Sequence, residues 1–218
     1  MGFDLAYTID VLPELLDATL VTIRLALLGY LVAMVLGLAF AVARLTGGPV
    51  VDRAVWALTE AIRLTPLLVQ LFFAFYVLPE IGIKLPAEPT GILVIGLHYA
   101  TYTAEVYRSG IRAVPSGQWE AATALNLPAG TLWARIVLPQ AVRPMVPALG
   151  NYLIQLFKEV PLLSTITVYE LLNTANLLAS SSFKYLETLT TVGLIFFALS
   201  YPSSLFFRRL EAKTERLP

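Results

Sequence analysis

The sequence has no cysteine, one histidine, and few charges: only 14% of its 218 residues are Asp, Glu, Lys or Arg. Without cysteine there is no disulfide framework, no thiol nucleophile and no cysteine-based metal site. A single histidine argues against a His-rich metal site or a Ser/His relay, and so against an intramembrane enzyme. A soluble domain carries roughly 25% charged residues, so this chain has too few to clothe a globular surface. Its 15 basic and 15 acidic residues cancel, which leaves no basic excess for a nucleic-acid partner. The 14 prolines and 13 glycines are scattered, which excludes low complexity. What is abundant is apolar mass, with 57% hydrophobic residues and a mean hydropathy of +0.74. The expectation is an all-α membrane protein in contact with lipid.

A membrane-crossing helix needs about 20 mostly apolar residues. Leu25 to Ala43 and Thr188 to Phe207 are uncharged and long enough. Leu64 to Pro79, Pro89 to Ala104 and Pro144 to Phe157 are uncharged but shorter. Charged ends of these three must enter the membrane against protein, so they are expected to be inner helices. The count is about five transmembrane helices in a single domain, residues 1–218. The N-terminal segment carries Asp4, Asp10, Glu14 and Asp17 and no basic residue, unlike a signal peptide. Asp10 is expected to cap a helix with Pro13 in its first turn.

Lys and Arg alternate between connections. Arg44, Arg53 and Arg63 lie between spans one and two, and Arg108, Arg112, Arg135 and Arg143 between three and four. The tail has Arg208, Arg209, Lys213 and Arg216, whereas the other connections hold only Lys84, Lys158 and Lys184. The basic set marks the cytoplasm, giving an external N-terminus and a cytoplasmic C-terminus. On that topology the zero net charge divides into minus six outside and plus five inside, with Arg24 supplying the balance.

The longest cytoplasmic connection contains Pro115-Ser-Gly-Gln-Trp-Glu-Ala-Ala-Thr-Ala-Leu-Asn-Leu-Pro128. Ser116 as N-cap and Pro128 as stop predict a helix of about three turns. So apolar a helix needs a surface. A lipid-lying helix favours Lys and Arg on its polar face, and none occurs between Arg112 and Arg135, so a protein partner is the better reading. Pro139, Pro144 and Pro147 crowd the start of span four. They mark either a benign kink or a pathway wall or hinge.

Glu120-Ala121-Ala122, followed after thirteen residues by Ile136-Val137-Leu138-Pro139, resembles the EAA loop of permease subunits of bacterial ABC importers. Arg63-Leu-Thr-Pro-Leu-Leu-Val-Gln70, Tyr102-Thr-Ala-Glu105-Val-Tyr-Arg108-Ser-Gly110, Leu138-Pro-Gln-Ala141, Asn151-Tyr152 and Lys158-Glu159 resemble the polar amino acid branch of that family (the histidine/glutamate permease-like group). The resemblance covers nearly the whole chain. Two residues depart from it: Asn126 and Leu64 stand where the family usually has Gly. Asn tolerates the left-handed backbone, so the turn at 126 is expected to survive; Leu64 is expected to alter packing where span two begins. His98 to Glu105, Ala124 to Leu127 and Pro161 to Thr167 look most like permeases for ectoine and hydroxyectoine.

The resemblance implies a type I ABC importer transmembrane fold in the bacterial inner membrane, multi-pass. It implies a second permease subunit, identical or paralogous, two ATPase subunits and an external solute-binding protein. This chain is then a non-catalytic subunit that binds no cofactor. No Gly is followed by Lys, so there is no Walker A loop, and ATP and Mg belong to the partner ATPase. The coupling loop, about residues 113–135, would seat Glu120, Ala121, Ala122 and Asn126 in that ATPase. The cargo would be a small polar solute, an amino acid or a compatible solute such as ectoine.

Gln70, His98, Tyr102, Glu105, Asn151 and Gln155 are candidates for the substrate pathway, and Lys158 and Glu159 for a gate. His98, Tyr102 and Glu105 share one helix face. Acceptors and aromatic faces suit a cation, and the Gln70 and Asn151 amides suit a carboxylate. Blander readings stand beside these: Glu105 pairing with Arg108 one turn on, His98 as an interhelical hydrogen-bond partner, Lys158-Glu159 as an interfacial pair. A self-contained oligomeric channel or secondary transporter is the alternative function.

Overall fold

Small side chains recur down one face of the first helix: Ala26, Gly29, Ala33, Gly37 and Ala41, three or four residues apart, all buried. Without a hydrophobic drive between helices in lipid, such a stripe lets two backbones approach until van der Waals contacts hold them. In the computed structural model, which describes residues 3–214, this face meets a parallel helix. A Cβ on Gly29 would stand 2.7 Å from Ile95 Cγ2, and one on Gly37 would stand 2.9 Å from the Ala100 carbonyl oxygen. The Thr103 hydroxyl donates across the seam to the Ala33 carbonyl at 2.8 Å.

The helices are α1 (Leu5–Thr46), α2 (Gly48–Leu64), α3 (Leu67–Phe72), α4 (Ala87–Arg112), α5 (Ser116–Ala124), α6 (Ala129–Thr131), α7 (Leu138–Glu159), α8 (Leu171–Ser182) and α9 (Tyr185–Thr214). Wide π turns continue α3 over Phe73–Val77 and lead from α6 into α7 over Leu132–Val137. The 3-10 turns Leu78–Ile81 and Val160–Ile166 follow. Among the described residues there is no strand.

α7 runs against α4: Gly110 meets Ala141 and Met145, while Tyr99 meets Tyr152. α9 runs against α7, with Phe207 beside Gly150 and Phe196 beside Phe157. α8 caps one end, packing Leu171 and Ala175 on Val11, Leu15 and Val192. α5 lies at the other end, against the cluster of Val114, Val137, Ala141 and Met145 through Trp119. The described chain thus begins at the α8 end and finishes at the α5 end.

By length and composition α1 and α9 can each cross a membrane, and α2 with α3 also qualifies if the bent pair is one span. α4 and α7, with 26 and 22 residues, are about 39 and 33 Å long. That is enough for the roughly 30 Å hydrocarbon layer.

Several local expectations change. The first span extends into one 42-residue helix. Asp4, not Asp10, is its N-cap, accepting from the Tyr7 amide at 3.0 Å. Pro13 sits inside the helix, where Ile9, whose carbonyl loses its donor, is exposed. Ser116 is the first helical residue of α5, with Pro115 at the cap and no side-chain bond. α2 is a helix in its own right rather than a loop, meeting the following helix at 99°.

The connection between spans four and five holds a short helix, α8, capped by Glu170. Its fully buried carboxylate accepts from the Leu172 and Asn173 amides at 3.0 and 2.8 Å. At the same end Lys184 binds Asp4 at 2.8 Å and holds that carboxyl below its ordinary range.

Burial pushes the Glu170 carboxyl up to about 7 from an ordinary 4.5. Between those values the native state binds more protons than the unfolded chain, so stability falls as pH rises through the window. Glu170→Gln keeps a capping oxygen and removes the titration. Its melting temperature in detergent should stay level from about pH 5 to about pH 8, while wild type declines by several degrees. Parallel curves for the two proteins would contradict this.

Candidate functional site

Pro66 has no amide hydrogen, so the carbonyl of Ile62 loses its helical donor and the chain turns between α2 and α3. The Gln70 side-chain amide fills the gap. Its Nε2 donates to the Ile62 carbonyl at 2.7 Å and to the Thr65 carbonyl at 2.8 Å, and lies 3.1 Å from His98 Nδ1. The sequence pointed to Gln70 as a donor for a carboxylate. In the structure the two amide hydrogens are shared among the Ile62 and Thr65 carbonyls and His98 Nδ1, so they serve the bend and its contact with α4. Leu64 does not crowd this bend, because its side chain is 77% exposed.

His98 begins an aromatic cluster. Its ring is 5.5 Å from that of Tyr102, which is 5.4 Å from Tyr152 on α7 and 5.9 Å from Tyr99. The Arg63 guanidinium, from the last turn of α2, lies over Tyr102 at 5.4 Å. Glu159, at the end of α7, stands beside the Tyr99 hydroxyl. So α2, α4 and α7 converge on one site of three tyrosines, one histidine, one arginine and one glutamate. Asn151 adjoins Tyr152 and is half-buried; Gln155 and Lys158, further along α7, are exposed.

Glu105 does not join this cluster. It binds Arg108 at 2.7 Å, as the simpler reading had it, and also Arg44 of α1. Arg44, nearly buried, reaches Asp52 of α2 at 2.8 Å and keeps its carboxyl below the usual range. This chain of charges pins three helices together.

The loop at the α5 end is also built locally. Asn126 has φ +49°, the left-handed conformation expected of it. The Leu127 amide bonds to the Ala122 carbonyl and the Asn126 amide to the Thr123 carbonyl, both at 3.0 Å. These two bonds form a Schellman cap closed by Asn in place of Gly. Trp119 packs edge-on against Trp133 at 5.6 Å, fastening α5 to the turn before α7. Glu120, Ala121 and Leu125 face outward, whereas Ala122 is 2% exposed. Ala122 is therefore a residue of the loop's own packing, and the free face belongs to its neighbours.

Sequence reasoning placed Arg44 and Arg63 among the cytoplasmic basic residues, and Arg63 and Tyr152 in segments resembling the family, but gave none of the three a role at the site. The signal for Arg63 was its position one turn before a Pro that breaks an apolar segment, since such breaks point flanking groups inward.

The family model for the binding-protein-dependent transport system inner membrane component matches residues 11–216. The probable amino-acid ABC transporter permease protein y4tG of Sinorhizobium fredii is 46% identical over 94% of this chain and 89% of its own length. The probable glutamine ABC transporter permease protein GlnP of Bacillus subtilis is 34% identical, covering 98% of this chain and 99% of its own. A crystal structure of an amino acid ABC transporter with histidines superposes with a TM-score of 0.89 at 28% identity, over 98% of this chain and all of that one. A chain of the MetNI methionine ABC transporter, at 14% identity and a TM-score of 0.64, shares the fold.

Arg44→Gln removes the centre of the ion chain, leaving Glu105 to Arg108 alone and Asp52 with no ion-pair partner among the described residues. The cost is expected to be on the order of 2 kcal/mol, below that of a fully buried pair because both carboxylates stay partly solvated. Arg53→Gln, at an exposed position, should change stability by less than about 0.5 kcal/mol. Thermal unfolding in detergent checks both; equal melting temperatures for the two variants would contradict the assignment.

Proposed function

The chain belongs to the binding-protein-dependent transport system inner membrane components and is the permease subunit of an amino-acid ABC transporter; from that premise we propose how its parts divide the work. It is a non-catalytic, multi-pass protein of the inner membrane, and it works with ATPase and binding-protein partners. Our reading is of five spans with the α8 end outside and the α5 end in the cytoplasm. Two permease chains and two ATPase subunits form the importer. The α8 end receives solute from the binding protein, and the cluster around Tyr102 is the passage through this chain.

The observation that carries the coupling role is the outer face of α5. A leucine 71% exposed beside Glu120 and Ala121, on a helix fastened from behind by Trp119 and closed by a left-handed Asn, is a rigid apolar knob. Close approach of small residues and an exposed leucine suit a groove of the ATPase. Movement of that groove on ATP binding would be passed through the Trp119–Trp133 contact to α7, which also carries Tyr152.

The cargo is read as an amino acid or allied zwitterion. The likeness of three segments to ectoine and hydroxyectoine permeases brings those compatible solutes into the set. A binding screen of the cognate external protein against L-amino acids, ectoine and hydroxyectoine tests this. Affinity confined to solutes outside that set would refute it.

For the coupling claim, Leu125→Asp in the assembled importer should cut ATP-driven uptake at least about tenfold while the chain still inserts. Wild-type uptake by that variant would sink the docking role. Solute transport by the purified chain alone in liposomes, without ATPase, would instead favour the channel or secondary-transporter reading.

A further inference from the structure

A groove opens at the α5 end, between α1, the last turn of α4 and the turn before α7. Leu38, Val42, Ile111, Trp119, Trp133 and Leu138 line it around a cavity of about 730 Å³, and Arg112 is its charged residue. Its α1 wall continues a longer surface. Leu28, Leu31, Val35, Leu38 and Val42, three or four residues apart, are all exposed. Helical periodicity puts them on the side opposite the buried Ala33 and Gly37. The stripe lies within the uncharged run Leu25 to Ala43, the part of α1 long enough to cross hydrocarbon. The groove is therefore open to the bilayer along α1.

At the groove's end the chemistry changes. Arg112 is exposed and forms no ion pair among the described residues. A polar recess of about 350 Å³, lined by Arg44, Asp52, Arg53 and Trp56, lies beside it. Arg44 is next in sequence to Leu45 of the groove, and Arg112 is close enough to act on the Asp52 carboxyl. Arg44, Arg53, Arg108 and Arg112 outnumber Asp52 and Glu105 by two, because the ion chain consumes both carboxylates. Trp and Arg side by side, with apolar wall on one hand and net positive charge on the other, match the level where acyl chains give way to headgroups.

We propose that the groove and its basic end bind an acidic phospholipid of the cytoplasmic leaflet. An acyl chain lies along Leu38 and Val42 against the Trp119–Trp133 pair, and the phosphate meets Arg112 and Arg53. A zwitterionic headgroup brings no net charge to answer the excess. The ATPase is the poorer occupant, because α5 turns Glu120, Ala121 and Leu125 outward and keeps Trp119 for the groove. The lipid backs the very contact that fastens α5 to the turn before α7. The site rests on the topology proposed above, with the α5 end in the cytoplasm, and adds a lipid to the partners of the importer.

The probes are phosphatidylglycerol and phosphatidylcholine, each with a photoactivatable diazirine in the acyl chain. Each is added as a tracer to the complete importer in phosphatidylcholine vesicles, and crosslinks are mapped to residues by mass spectrometry. Phosphatidylglycerol should label Leu38, Val42 and the two tryptophans about fivefold more than phosphatidylcholine, the preference that one basic residue supplies near an anionic headgroup. Leu28 and Leu31, on the same stripe but away from the basic end, should be labelled alike by both lipids. Arg112→Gln should remove most of the preference. Arg112→Lys should keep most of it, which separates lost charge from lost fold.

Equal labelling of the groove by the two lipids, or a preference that Arg112→Gln leaves intact, overturns the proposal. So does a groove labelled by neither lipid in the importer, the result expected if the ATPase or the second permease chain covers it. Labelling of Gln118→Cys by a membrane-impermeant thiol reagent added to intact spheroplasts would instead put the α5 end outside. That fails the topology reading, and it is told apart because it does not depend on the lipid used.

Discussion

Everything in this molecule is placed by how closely α1 and α4 approach. The stripe Ala26, Gly29, Ala33, Gly37, Ala41 brings the two backbones together until a methyl group at Gly37 would strike α4. In a bilayer that contact replaces the hydrophobic drive that holds soluble helices. The stripe ends in Arg44, and the same approach delivers its guanidinium to Glu105. One face of α4 is thereby consumed by packing and its last turns by ion pairs. The face with His98 and Tyr102 is left to look toward the α2–α3 bend and α7.

The bend follows from a second constraint. Pro66 removes a hydrogen bond from the Ile62 carbonyl, and the Gln70 side chain supplies one in its place. Because that amide also reaches His98, the bend has a fixed position against α4, and Arg63 is carried over Tyr102 with it. A helix break, a satisfied carbonyl and the placing of Arg63 are one event. The polar residues of the site therefore divide into those that hold the backbone, such as Gln70, and those with a buried polar atom left unpartnered, such as Arg63 and Glu159.

Much of the architecture could be read directly, and the reasons are physical. Uncharged runs gave α1 and α9, and the Ser116–Pro128 segment gave α5, because length and punctuation are local properties. Asn126 was legible because few residues tolerate a left-handed turn. Partnerships were not legible. Glu105 lay on the same helical face as His98 and Tyr102, yet its pairing with Arg44 depends on a residue 61 positions away. Ala122 belonged to a recognisable motif, but which alanine points out depends on how Trp119 meets Trp133. Asp10 looked like a cap because nothing local announced that Asp4 would be held by Lys184, across the whole length of the chain.

The central claim is that solute passes the cluster around Tyr102 and Tyr152 rather than the α1–α4 seam or the lipid-facing surface. The absence of cysteine allows single cysteines to be placed in an otherwise unaltered chain. The decisive measurement is labelling of Tyr152→Cys and Val35→Cys by a membrane-impermeant thiol reagent in the working importer, with and without the imported solute. The account predicts that Tyr152→Cys is labelled during ATP turnover and protected by solute, while Val35→Cys, on the exposed side of α1, stays unlabelled. Labelling of Tyr152→Cys that solute does not change, or no labelling there in any state, would contradict it.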